Sequence, residues 1–227
     1  NGVKLMLVGR DITLTESGSS EDGELFSVKS FFDGYIDLET RLLGGHQLEN
    51  AAAAIGAAEA LRYHDIVIRN EAIRAGVSSA AWPGRFEIVG KRPYVVLDGA
   101  QNRASARALA AAVKRIFGPD KKRYERIILV FGISNDKDIA GVLEEVAPIS
   151  DTVIITKAKV AGRAAEPLFI EKKLAPIKGA PRDIQLTAGV GEALDRALRM
   201  AGERGLVVVT GSLFVVGEAR EILVNPS

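Results

Sequence analysis

The 227-residue chain carries 30 basic and 29 acidic residues, a formal net charge of +1, so no global field draws it to nucleic acid or to an anionic membrane. It has no cysteine and only two histidines, His46 and His64, which excludes disulfide frameworks and thiolate metal sites and suits a reducing, cytoplasmic setting. The length exceeds the usual single-domain mode, no apolar run approaches a membrane span, and the opening NGVKLMLVGR has neither initiator methionine nor signal-peptide layout, so the first residue reads as a cut point.

Residues 1 to 45 alternate short strand-like pieces with turn-rich segments. The pieces are Val3 to Val8, Ile12 to Thr15, Leu25 to Val28 and Tyr35 to Leu38, with Glu16 to Gly23 as the longest turn. An antiparallel, hairpin-rich part is expected. From His46 to Arg62 the spacing of Leu48, Ala51, Ile55, Ala58 and Leu61 predicts a helix whose alanines admit a close neighbour. Asn50 falls in its first turn, where asparagine gains little for the helix, so either a side-chain role or a solvent-facing position fits. His46 reads as a cap. Ile66 to Gly76 predicts a second helix ended by glycine, and Val77 to Ala81 a linker.

Trp82-Pro83-Gly84-Arg85-Phe86-Glu87 opens a new regime. Phe86 to Val89 and Tyr94 to Leu97 read as a hairpin through the Gly90 to Pro93 turn, which brings Arg85 near Asp98. A surface pair of Arg85 with Asp98 or Glu87 is the plain alternative. After Asp98-Gly-Ala-Gln-Asn102 come Leu109, Ala112, Val113 and Ile116 on one helix face, so the unit reads strand, turn, helix. The alternation repeats through strand Ile127 to Phe131 and a helix carrying Ile139, Val142, Leu143 and Val146. Strand Val153 to Thr156, an irregular KAKVAGRAAEP stretch and a short helix near Leu168 follow. Strand Ile184 to Leu186, a helix from Val190, strand Leu206 to Thr210 and a helical turn from Leu213 close the chain. Continuous apolar runs such as IILVF suit parallel strands buried on both faces, and the whole predicts a doubly wound, Rossmann-like α/β sheet, mainly parallel, of roughly six strands.

Polar residues collect at the carboxyl ends of these strands: Asp98 and Asn102, then Ser134 to Asp138, then Lys157 and Arg163, then Thr210, Gly211 and Ser212. Ligands of open α/β sheets bind at that edge, so a phosphorylated or carboxylated small molecule is expected. Some of these residues must instead be helix caps; Asp98 or Asn102 can cap the first helix, and Asn135 or Asp136 suits the second. No G-x-x-x-x-G-K-[ST] or G-x-G-x-x-G loop is present, so a triphosphate cradle is not on this stretch.

The segments HQLENAAAAIGAAEAL, WPGRFE, VVLDGAQN, GISNDKD and TGSLFVVGEAR, in that order, resemble the folylpolyglutamate synthase and dihydrofolate synthase family within the Mur ligases, from about Leu42 onward. The resemblance implies a ligase in which ATP phosphorylates a folate or dihydropteroate carboxylate and the amine of L-glutamate displaces the phosphate. It further implies that residues 82–227 are the carboxyl-terminal Rossmann-like domain and 1–81 the tail of the central ATPase domain. Nucleotide contacts carry over to Asn50, Arg85 and Asp98, with Gln101 standing where the family usually has histidine. Ser212, Asp136, Lys137 and Asp138 match motifs at the amino-acid end of the cleft. No catalytic residue or metal ligand is expected on this stretch; the phosphate loop and Mg²⁺ carboxylates belong upstream. A monomer is expected. A peptidoglycan-type Mur ligase and a non-catalytic nucleotide-binding or regulatory module of the same fold are the alternatives.

Overall fold

The computed structural model describes residues 5–118, 124–159 and 162–224. Contacts divide the chain into two compact units, one up to Trp82 and one from Pro83.

The first unit is an antiparallel sheet in the order β1 (Thr13–Ser19), β2 (Glu24–Lys29), β3 (Gly34–Thr40), followed by helices α1 (Gly45–Ala60) and α2 (Asn70–Ser79). Strand β2 alternates strictly, with Phe26 and Val28 turned into a core that also takes Tyr35, Leu38, Leu48 and Ile55. Gly56 lies so close to the Ile12 side chain that a Cβ there would collide with it, which accounts for glycine at this position. Several expectations need correction. Leu5 to Val8 form no strand, only a single bridge from Val8 to Ile12, while Val3 lies outside the described residues. Glu16 to Ser19 extend β1 instead of turning. Gly44 precedes α1, so His46 is not its cap, and the last turn tightens to a 3₁₀ helix over Leu61–His64. Helix α2 runs through Gly76 to Ser79, because nothing there forces a left-handed backbone.

Glu59 ties this unit together. Its carboxylate is 1% exposed and accepts from the Phe32 and Asp33 amides (3.2 and 3.1 Å) and from the Tyr35 hydroxyl (3.0 Å), fastening the β2–β3 turn to α1. Burial, and then this carboxylate, push the Tyr35 phenol well above its ordinary pKa. Glu59→Ala orphans three donors, and urea denaturation should show a loss of about 2–4 kcal/mol, with Glu59→Gln intermediate.

The second unit has one six-stranded sheet in the order β4-β5-β9-β6-β7-β8: β4 (Glu87–Lys91), β5 (Tyr94–Leu97), β6 (Ile127–Phe131), β7 (Thr152–Ile155), β8 (Asp183–Leu186) and β9 (Leu206–Thr210). Only β4 is antiparallel to its neighbour, as the hairpin reading predicts. Helices α3 (Arg103–Phe117), α4 (Ile139–Val146) and α5 (Pro167–Leu174) pack in a row, and α6 (Val190–Ala201) packs with α7 (Leu213–Val224). Strands β6 and β9 are buried at every residue, which is why their sequences are continuously apolar. The carboxyl ends of all five parallel strands share one edge. Helix α7 is three turns long, where the sequence predicts only a helical turn.

On the solvent side, Glu145 of α4 takes Arg107 Nη2 at 2.8 Å and Arg103 Nε at 3.0 Å from α3. Arg107, then Arg103, hold its carboxyl at about 2, below the ordinary 4.5. A depressed carboxylate contributes stability above its unfolded pKa and loses it as pH falls toward the folded value. Glu145→Gln should therefore flatten the stability curve between pH 4.5 and about 2, read by thermal melts across that window.

Candidate functional site

The edge where β5 ends holds the densest polar construction. The Asp98 amide donates to the Val209 carbonyl at 3.0 Å, extending the β5–β9 ladder by one residue. Its side chain is only 7% exposed; Oδ2 accepts from the Phe86 amide and Oδ1 from the Ala100 amide, both at 2.9 Å. The Gly99 amide in turn donates to the Gly84 carbonyl at 2.9 Å. Gly84 and Phe86 both have positive φ, 72° and 44°, and for Phe86 that left-handed backbone costs on the order of 1–3 kcal/mol. The Asp98 carboxylate holds this loop in place by taking Phe86's amide, while the Phe86 ring is anchored against Phe117. Half-buried Arg85 is carried between Gly84, which takes this backbone freely, and the strained Phe86.

Burial pushes the Asp98 carboxyl up, while the two backbone amides and then the Arg85 charge pull it down. Each carboxylate oxygen has two lone pairs, so an Asp98 that satisfies two amides can still accept from two hydroxyls. Asp98 lies at the sheet edge, as its place after β5 predicts, but it is buried there. Neither does it cap α3. Asn102 does, in a capping box with Ser105, and the Gln101 amide donates to Ser105 Oγ at 3.2 Å, leaving the half-buried Gln101 beside the site.

The other candidates scatter along the same edge. Asp138 caps α4 by accepting from the Gly141 amide at 3.0 Å, a role the sequence suggests for Asn135 or Asp136. Asp136 pairs with Lys137 at 3.3 Å, and Asn135 instead braces the Gly162 carbonyl. Lys157 binds Glu166 at 2.9 Å, and the Arg163 guanidinium lies 5.5 Å from the Phe214 ring centre. Buried Ser212 stands immediately before α7 and accepts from the Phe214 amide at 3.1 Å. Between Ser134, Ala158 and Ser212 is a cavity of about 10 Å³, room for a single water. The hydroxyls of Thr156 and Thr210, on either side of β6, are fully buried and make no hydrogen bond.

Asn50 belongs to the first unit. It is exposed on α1, donates to Gln47 Oε1 at 3.1 Å, and borders a groove of about 660 Å³ whose other walls are mainly apolar, among them Ala51, Ile55, Ile73 and Trp82. Among the described residues no three His, Asp or Glu side chains converge, and no helix is long and apolar enough to cross a membrane.

Sequence reasoning weighs Glu87 only as a surface partner of Arg85 and passes over Arg220. Glu87 Oε2 accepts from the Gly84 amide at 2.8 Å, and Arg220 Nε of α7 spans both Glu87 oxygens at 3.1 and 3.0 Å. The only signal is that WPGRFE ends in an acid and TGSLFVVGEAR in a base, which is too little to pair residues so far apart in sequence.

Comparison with known proteins places residues 84–213 in the Mur ligase, glutamate ligase domain. The chain is similar to a probable bifunctional folylpolyglutamate synthase/dihydropteroate synthase of Halobacterium salinarum, 35% identical over 93% of this chain and 24% of that protein. It is also similar to the dihydrofolate synthase/folylpolyglutamate synthase of Bacillus subtilis, 31% identical over 88% of this chain and 44% of that one. Its fold matches Escherichia coli FolC in complex with DHPP and ADP, with a TM-score of 0.78 and 26% identity over 95% of this chain and 46% of that chain. The chain thus spans less than half the length of each.

Proposed function

As the chain belongs to the folylpolyglutamate synthase/dihydrofolate synthase family of Mur ligases, matching its carboxyl-terminal portion, we propose that it serves an ATP-dependent amide ligase joining L-glutamate to a folate or dihydropteroate carboxylate. In that reaction the γ-phosphoryl group passes to the carboxylate oxygen, and the glutamate amine then attacks the acyl carbon. Phosphate leaves and a proton is lost as the amide forms. This stretch contributes nucleotide grip and closure, while the phosphate loop and Mg²⁺ ligands come from the length of the relatives that it does not span. Residues 1–81 are read as the tail of the ATPase domain, and the protein as a cytoplasmic monomer.

The observation that carries the reading is the buried Asp98 carboxylate fastened to the strained loop that presents Arg85. A carboxylate with spare lone pairs suits ribose hydroxyls, and a guanidinium fork suits phosphate or ribose oxygens. The resemblance assigns Asn50 a nucleotide contact as well, and Gln101 a peripheral one with an amide edge in place of an imidazole. Ser212, Asp136, Lys137 and Asp138 are assigned to the amino-acid end. There the cap and ion-pair contacts of Asp138, Asp136 and Lys137 leave them shaping the turn, and Ser212 the better candidate for direct contact.

With no phosphate loop, nucleotide affinity is expected at millimolar or poorer, since every charge-assisted hydrogen bond that the loop would have made is worth about 1.5–3 kcal/mol. Titrating ADP into the ¹⁵N-labelled chain should shift the amides of Phe86, Gly99, Ala100 and Gln101 at millimolar concentration, while calorimetry with ATP and Mg²⁺ gives little heat. Micromolar affinity would favour the free-standing nucleotide-binding module, and no shift at saturating ADP would remove the nucleotide reading.

A further inference from the structure

We propose that Glu87 and Arg220 are a positioning pair: α7, the helix that starts after Ser212, sets through them the shape of the loop that presents Arg85. The inference rests on the nucleotide reading above.

The loop has three fixed points. The Gly84 carbonyl is taken by the Gly99 amide, the Phe86 amide by Asp98, and the Gly84 amide by Glu87 Oε2. The first two belong to the β5 turn itself. The third is different, because Glu87 is the first residue of β4 and its carboxylate is held from outside the hairpin, by Arg220 on the last helix of the chain. The side chains of Glu87 and Arg220 are 22% and 33% exposed, so the pair is only partly screened by solvent, unlike most ion pairs of this surface. A carboxylate bridging a backbone amide and a guanidinium makes two charge-assisted bonds with different jobs: one sets the Gly84 backbone, the other sets the carboxylate. Gly84 leaves no slack, since a Cβ there would meet Val216 of the same helix at 2.9 Å. Helix α7 therefore touches the loop twice, by packing at Gly84 and by charge at Glu87. Its amino terminus adjoins Ser212 at the proposed amino-acid end, so one helix borders both proposed ends of the site.

The test uses the 227-residue chain with ADP as probe, read by amide chemical shifts, with a thermal melt of each variant. Arg220→Lys keeps the charge and loses the Nε–H that spans both Glu87 oxygens; Arg220→Gln loses both. Expected is an ADP affinity weaker by about threefold for Lys and about tenfold for Gln, tenfold corresponding to about 1.4 kcal/mol, with the Gly84, Phe86 and Gly99 amides perturbed and those of Ile128 to Val130 unchanged. The exposed Arg204–Glu125 pair supplies the control, and Arg204→Gln should leave affinity as it is. The charge swap Glu87→Arg with Arg220→Glu decides between positioning and a simple tether. An arginine cannot accept the Gly84 amide, so the swap should restore thermal stability toward wild type without restoring ADP affinity. Unchanged affinity in folded Arg220→Gln, or full recovery of affinity in the swap, overturns the proposal. If the wild-type chain shows no ADP-dependent shift, it is the nucleotide reading that falls, and this assignment falls with it.

Discussion

Asp98→Ala is expected to lower the melting temperature of the chain by roughly 6–12 °C, a loss of about 2–4 kcal/mol in the second unit. The substitution leaves the Phe86 and Ala100 amides without acceptors at a position only 7% exposed to solvent. Each such charge-assisted bond contributes about 1.5–3 kcal/mol, offset in part because the buried carboxylate no longer has to be desolvated. The loss should centre on the loop, because Phe86 keeps its left-handed backbone only while something holds its amide. Nucleotide binding should then disappear together with the loop, so the variant cannot by itself separate grip from scaffold. Asp98→Asn retains one acceptor and the shape, and should fall between. A pH series adds a signature. The folded chain holds the Asp98 proton to higher pH than the unfolded chain does, so stability from this group is present below the ordinary carboxylate pKa and is lost as pH rises through the raised one. Asp98→Asn should remove that decline. A melting temperature within about 2 °C of wild type for Asp98→Ala would show that the two amides find water at little cost.

Gly211→Ala should cost about 2–4 kcal/mol and displace the turn that carries Ser212. Gly211 has φ of 101°, outside what an L side chain adopts readily, and an added Cβ would stand 2.6 Å from the Gly132 carbonyl oxygen and 2.8 Å from the Phe131 ring. Neither can give way cheaply. The oxygen is backbone at the end of a central strand, and the Gly132 amide is itself bonded to the Thr210 carbonyl at 3.2 Å. Gly217→Ala, in the middle of α7 with nothing within 4 Å of the new methyl, is the matched comparison and should be stabilising by about 0.5–1 kcal/mol. Chemical denaturation of both variants measures the contrast; equal effects of the two substitutions would refute the crowding described for the β6–β9 edge.

Much of the architecture was legible because it rests on local pattern. The apolar runs IILVF and LVVV, short and bounded by turn residues, suit strands covered on both faces, and the spacing of Leu109, Val113 and Ile116 suits a buried helix face, so the strands and their order in the chain were readable from length, punctuation and periodicity together. The hairpin that brings Arg85 toward Asp98 was legible for the same reason, through Pro93 and the two short runs beside it. What the sequence misplaced were features set by backbone geometry: Gly76 marks no helix end because its backbone stays helical, and Asp138 caps α4 because its position, one residue before Ile139, aims its carboxylate at the Gly141 amide. Only the tertiary structure decided the state of Asp98. Its type and its place after a strand say "edge", but the loop from Gly84 to Phe86 folds over it, and burial then fixes both its hydrogen bonds and the direction of its pKa. The same holds for Glu87 and Arg220: pairing residues from the first strand and the last helix of the second unit requires β9 to return between β5 and β6, a long-range closure that no local periodicity encodes.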